Sequence, residues 1–289
     1  MPGRQRVSGG QLLYPAGPTD FIPMLDREVL AAEPRDLALE RLMEEEGSRM
    51  YGLGMKLCGN SEEAEDLVQE TFLQAFRKWD QFEGRSAPSS WLYTIATRIC
   101  QRRYRLRSGE PARVESLSEL LPSGQPMVAT IPSSDESQLD EQLRREAHER
   151  VDRALAELPI HLRLPLLLKD ITELSLSQIA DILGLKEATV KTRVHRARLA
   201  LRKEMAEALP QREAPPPDHS RKVCLDLLSA KQEALDRGVE FPVPADELCS
   251  RCRSLMSTLD LTFDACRQLD LDQLPESLRQ SILDQASIG

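Results

Sequence analysis

Between Arg85 and Arg107 the chain carries six arginines and no acidic residue, with Trp91, Tyr93 and Tyr104 set among them. Guanidinium groups neutralise phosphate and aromatic faces stack on unpaired bases, so the combination suits nucleic acid whose strands have been opened. The whole chain is acidic, with 38 basic against 47 acidic side chains and a net charge of −9. A basic aromatic segment inside an acidic protein is not a solubility device. A second basic stretch, residues 161–204, holds nine basic and five acidic residues. In it Lys191, Arg193, His195 and Arg196 lie on or beside the exposed face of a helix, and Lys191, His195 and Arg198 run beside its apolar stripe. A helix that enters a major groove presents such residues to base edges and phosphates. The other reading is a basic helix whose charges are merely solvated, and the charge count together with the turn described below favours DNA.

The third group is sulfur. Cys249-Ser250-Arg251-Cys252 is a C-x-x-C, the spacing that lets two thiolates reach one tetrahedral zinc ion. His219 and Cys224 are the candidates for the other two ligands. The alternative is a metal-free, reduced helical hairpin in which the spacing is fortuitous, and both readings stay open. A redox dithiol is less favoured, because no thioredoxin-like βαβ pattern surrounds the motif. Cys58 and Cys100 fall on apolar faces and read as small buried hydrophobes. No phosphate loop, hydrolase elbow or catalytic His/Asp/Ser set is present, and the four histidines are scattered. An enzyme is not expected.

These residues need helices to position them. Ile179, Ala180, Ile182 and Leu183 form one short apolar face, Gly184 interrupts it, and Val190, Val194, Ala197 and Leu201 recur at 4-3-4 spacing. Two helices around a tight glycine turn, the second one basic, describe a helix-turn-helix. Upstream, Asn60 followed by Glu63 marks a helix start. Ala64, Leu67, Val68, Thr71, Phe72, Phe76 and Trp79 then make one stripe, with Asp66, Gln69, Glu70 and Arg77 opposite. Leu73 stands among the polar set, a hint of a docking surface. β-Branched runs are scarce, and the expected fold is all-α: two helical domains joined by a flexible linker, plus a small helical C-terminal extension.

The boundaries follow composition. Residues 1–34, with five prolines and four glycines, are expected to form an irregular arm. The first helical domain spans 35–107. Residues 108–140, rich in Pro, Ser and acids, are expected to be a flexible acidic linker. The helix-turn-helix domain covers 141–208, and the Cys-containing extension 209–289 begins just before Pro215-Pro216-Pro217. From residue 211 onward the extension has nine basic and fourteen acidic residues, so it is expected to regulate rather than to bind DNA. No run of about 18 apolar residues suggests a membrane span. The N-terminus lacks the apolar core of a signal peptide, which points to the cytoplasm.

Taken in order and spacing, residues 57–107 and 158–202 resemble the second and fourth conserved regions of the extracytoplasmic-function sigma factors of the sigma-70 family. The resemblance implies a bacterial promoter-recognition subunit that binds core RNA polymerase and promoter DNA. It implies that Asp66, Gln69 and Glu70 meet the polymerase clamp helices. It further implies that Trp91, Arg98, Arg102, Arg103 and Arg105 act on the −10 element, and that Lys191, Arg193, His195, Arg196 and Arg198 read the −35 element. Trp91 has a second reading as a core tryptophan, since Leu92, Ile95 and Ile99 extend its face. Pro88 stands where the family usually carries an aromatic residue in the base-capturing loop, and proline offers no stacking face. The extension resembles in part a zinc-containing anti-sigma domain, with Ala245 where that motif has its histidine. Its implied roles are a zinc site at His219, Cys224, Cys249 and Cys252, and control in cis or through an anti-sigma factor or signal protein. The competing function is a helix-turn-helix regulator of duplex DNA without polymerase, against which residues 57–107 argue, because a repressor needs no strand-opening segment.

Overall fold

The structure, a computed structural model, describes residues 34–84, 86–107, 127–130, 138–216, 218–267 and 273–288. Residues 1–33 of the expected arm and most of the expected linker lie outside this set. Helix α1 (Arg35–Cys58) ends at Gly59, and α2 (Ser61–Arg77) starts beneath Asn60, whose side chain accepts a hydrogen bond from the Glu63 amide at 2.9 Å. The apolar stripe of α2 turns inward: Ala64, Leu67, Val68 and Phe72 are fully buried. Helix α3 (Pro88–Arg107) carries the arginine-rich segment. Pro88 opens that helix, where its fixed φ suits the first turn and its missing N–H goes unneeded. The proline that departs from the family pattern therefore starts the helix.

Helices α4 (Gln138–Glu157), α5 (Ile160–Asp170), α6 (Leu176–Leu183) and α7 (Glu187–Ala208) form the second helical unit. The extension adds α8 (Arg221–Arg237), α9 (Ser250–Arg267) and α10 (Glu276–Ile288). Among the described residues, all-α holds apart from one short ribbon. Met127–Ala129 (β1) pairs antiparallel with Gln211–Glu213 (β2), Val128 opposite Arg212. Part of the segment expected to be a structureless linker is thus pinned beside the extension, and Ser254 of α9 donates to the Ala129 carbonyl at 2.8 Å. Three residues are too few to show a strand period in sequence.

The two helical units pack on each other, α3 against α6 and α1 against α5, and Lys56 pairs with Asp152 across the junction. One apolar core runs through both and takes in Cys266 of α9 and Ile282 of α10. A second, smaller core belongs to the extension, where Cys224, Leu228, Cys252, Leu255 and Leu259 close around Leu199 of α7. No helix among the described residues is long and apolar enough to cross a membrane.

Candidate nucleic-acid interface

The helix-turn-helix is built as its sequence directs. Ser175 and Gln178 form a reciprocal capping box at the start of α6, and Gly184 ends it at φ +65°, a left-handed conformation that side-chain-bearing residues rarely adopt. The stripe Val190, Val194, Ala197 and Leu201 is fully buried. Arg196 is exposed and Arg193 half-exposed, both turned away from that stripe.

The line Lys191, His195, Arg198 is covered by the extension. Glu233 of α8 pairs with Lys191, and Asp236 Oδ2 lies 2.7 Å from His195 Nε2. Arg198, expected among the DNA-reading residues, is instead 2% exposed. It donates to Asp170 of α5 at 2.5 Å and to Asp236 of α8 at 2.7 Å. The reason is geometric: Arg198 sits next to the buried Ala197 on the side that α5 and α8 close over. Burial works against its charge, but the two carboxylates more than offset this and hold its pKa above the ordinary arginine value. Burial would raise the Asp236 pKa in turn, and the His195 hydrogen bond with the Arg198 charge brings it below the usual carboxylate range. Gln232 completes the contact, its amide donating to the His195 carbonyl at 3.2 Å.

On the strand-opening segment, Trp91 is half-buried and packs edge-on against Trp79 at 5.7 Å and tilted against Phe82 at 5.3 Å between ring centroids. It therefore serves the core and still borders a cleft of about 490 Å³ that Phe82, Lys78, Arg98 and Arg102 also line. Arg98 is exposed. Arg102 and Arg103 both reach Glu70 of α2, Arg103 at 2.9 Å. Arg105 belongs to α3, but its side chain lies outside the described residues. Tyr93, whose ring looks suited to an opened strand in the sequence, is buried and donates its hydroxyl to Glu46 Oε2 at 2.8 Å.

The three expected polymerase-docking residues have three different settings. Asp66 is exposed. Gln69 donates to Ser281 of α10 at 2.9 Å. Glu70 holds the α3 arginines.

The sulfur site is incomplete. Cys252 Sγ lies 3.7 Å from Cys224 Sγ, and the Cys252 amide points at Cys249 Sγ at 3.4 Å. Burial, then the neighbouring thiols, raises the Cys252 pKa. Among the described residues no group of three or more His, Cys, Asp or Glu side chains is arranged to hold a metal ion. His219 does not complete a set. Ser220 caps α8, so the chain leaves the helix at His219, more than a turn ahead of Cys224. The residues do not fit the four-ligand zinc site that His219, Cys224, Cys249 and Cys252 suggested.

Sequence reasoning missed the residues that matter most to this interface: Gln232, Glu233 and Asp236. The extension's acidity is visible in the sequence only as a bulk count, and α8 taken alone is not acidic, with four basic and three acidic residues over 221–237.

Comparison with known proteins matches two stretches of the chain. Residues 42–109 match the family model "Sigma-70 region 2", and residues 148–201 match "Sigma-70, region 4". The extension lies beyond both. The ECF RNA polymerase sigma factor SigW of Bacillus subtilis is 34% identical over 159 residues, covering 55% of this chain and 84% of the relative. The ECF RNA polymerase sigma factor SigE of Mycolicibacterium smegmatis is 32% identical over 170 residues, covering 58% and 62% respectively. A solved sigma factor RpoE, in complex with the anti-sigma factor NepR from Bartonella quintana, is 26% identical. The match covers 60% of this chain and 98% of that one, with a TM-score of 0.38.

Proposed function

This chain belongs to the extracytoplasmic-function sigma factors of RNA polymerase, and from that premise we propose that its C-terminal extension covers the −35-reading helix in cis. As a sigma factor it binds core polymerase and promoter DNA and directs transcription initiation. In the proposed assignment Arg193 and Arg196 face the −35 element directly, while Lys191 and His195 reach it once α8 moves away. Trp91, Arg98, Arg102, Arg103 and Arg105 act on the −10 element. Asp66, Gln69 and Glu70 meet core polymerase. The protein works in the cytoplasm, where the promoter is, and carries no catalytic chemistry of its own. The extension does the covering that a separate anti-sigma factor would otherwise do, and a signal protein would act by displacing α8.

The observation that carries this reading is the placement of Glu233 and Asp236 on Lys191, His195 and Arg198. Carboxylates there stand where phosphates or base acceptors would, so DNA and α8 compete for the same cations. The cover is built to lift. When α8 leaves, Arg198 keeps Asp170, which belongs to α5 of the same helical unit. Arg198 is therefore not stranded, and the Lys231–Asp260 pair that α8 gives up leaves behind an aspartate already partly exposed, so the opening is cheaper than breaking a buried pair outright.

Promoter-directed transcription by the full chain with core polymerase tests the reading. Arg193→Ala with Arg196→Ala should weaken promoter binding by about 1–3 kcal/mol if base edges are involved. Glu233→Gln with Asp236→Asn should raise transcription without inducer. Unchanged promoter binding in the first variant would remove the −35 assignment, and unchanged or lower transcription in the second would remove the cover.

A further inference from the structure

We infer that α10 occupies the surface of α1 and α2 through which core polymerase docks, so that the same extension closes both functional faces of this sigma factor. The inference rests on the polymerase-docking assignment of Asp66, Gln69 and Glu70 given above. Helix α10 presents Leu278, Ile282 and Ala286, at 6%, 0% and 7% exposure, as a one-sided stripe at i, i+4 and i+8. Gln280, Asp284 and Gln285 on its other side are exposed. The helix packs on α2 and α1. Leu73, set by sequence within the polar face of α2, is buried in the core that takes in Leu278 and Ile282.

One polar contact falls on a docking residue, and a second lies on the neighbouring helix α1. Gln69 donates to Ser281 at 2.9 Å, and Arg279 donates to Glu44 of α1 at 3.2 Å. Gly47 in the middle of α1 has a specific use here. A Cβ at that position would stand 3.0 Å from Leu274 Cδ2, so the leucine would have to shift by a few tenths of an ångström to admit it. A mid-helix glycine destabilises α1 on its own, and the close approach of Leu274 explains its presence. The groove is thus shaped for an amphipathic helix with a small polar residue at its centre and a cation over Glu44. A polymerase helix of that pattern would use the same groove. The contact is also made to come apart: Arg279 Nε is buried without a hydrogen-bond partner, which weakens the docked state.

The test uses the full chain and purified core polymerase. Two variants free the groove: Leu278→Asp with Ile282→Asp, and a chain ending at Arg267. Each should bind core polymerase about tenfold tighter or more, because affinity scales with the fraction of molecules whose groove is open. Binding of the free protein to a −35 duplex should stay the same in the Leu278→Asp/Ile282→Asp variant, since α8 is untouched. A third variant, Asp66→Arg, should weaken polymerase binding and reports on the docking face alone. If Asp66→Arg weakens binding while both α10 variants bind as the parent does, the inference is overturned and the docking assignment stands. If Asp66→Arg has no effect, the docking face has been assigned wrongly and the inference falls with it.

Discussion

Helix α9 anchors the extension against α7 and α4, and the two helices that flank it lie over the rest of the protein with different chemistry. Helix α8 meets α7 through ion pairs and hydrogen bonds, Lys191–Glu233, His195–Asp236, Arg198–Asp236 and Gln232 on the His195 carbonyl, beside a smaller apolar contact in which Cys224 and Leu228 share a core with Leu199. Helix α10 meets α1 and α2 through a leucine–isoleucine–alanine stripe and only two polar contacts among the described residues. Charge contacts are screened by salt and compete with phosphate, whereas apolar contacts are indifferent to salt and compete with another apolar helix. The pairing of lid to target follows: a polar lid covers the helix that meets DNA, and an apolar lid covers the face that meets protein.

The largest effect should come from the residue that both sides of the polar lid share. Arg198→Ala leaves Asp170 buried without its cation and Asp236 with His195 alone, and loss of one partner from a buried pair costs about 3–5 kcal/mol. Chemical denaturation should show it as a fall in global stability, and a loss below about 1 kcal/mol would mean the cluster is not held as described. Ile282→Ala removes buried apolar bulk nominally worth about 2–5 kcal/mol. Because α10 can undock without unfolding the rest, the measured loss should stop at the docking energy of that helix. Hydrogen exchange should therefore rise in α10 and leave α7 unchanged.

Smaller effects separate the lids by condition. Asp236→Asn keeps the Arg198–Asp170 pair and gives up charge-assisted bonds to His195 and Arg198, about 1–3 kcal/mol of the α8 contact. Acid should imitate it. The Asp236 pKa is held below its ordinary value of 3.8. Its stabilising contribution is therefore complete above about pH 4 and is lost as pH falls through the lower folded value. Exchange protection of α8 should drop in that window, and equal loss in α10 would show that the lids do not differ. Glu233→Gln should matter least, about 0–1 kcal/mol, because the Lys191–Glu233 pair is well exposed. Raising salt should loosen α8 by a similar small amount and leave α10 in place.

Much of this architecture is legible in the amino-acid sequence, and the gaps have physical causes. The helix-turn-helix is legible because Gly184 and the 4-3-4 stripe are local signals. The start of α2 at Asn60 is legible for the same reason. Arg198 escapes such a reading because a helical face says which residues avoid the nearest core, and not which faces a second element closes over. Tyr93 escapes it likewise, since its partner Glu46 lies 47 residues earlier. Leu73 signals that something covers that side of α2 but not which element does so. The carboxylates of α8 carry no signal at all, because their meaning depends on which helix they meet. The sulfur motif is the reverse case, a strong local pattern whose His219 does not join the thiols in space.

The claim at the centre is that α8 keeps the −35 helix from DNA through its carboxylates. The most direct measurement is affinity of the full-length protein for a −35 duplex at one fixed salt concentration. Two variants with the same change in net charge should be compared: Glu233→Gln/Asp236→Asn within the contact, and Asp226→Asn/Glu240→Gln elsewhere in the extension. The first should bind about tenfold tighter than the second, corresponding to roughly 1.4 kcal/mol of released contact. Equal affinities would mean that the extension acts only through its overall charge, and would contradict the account.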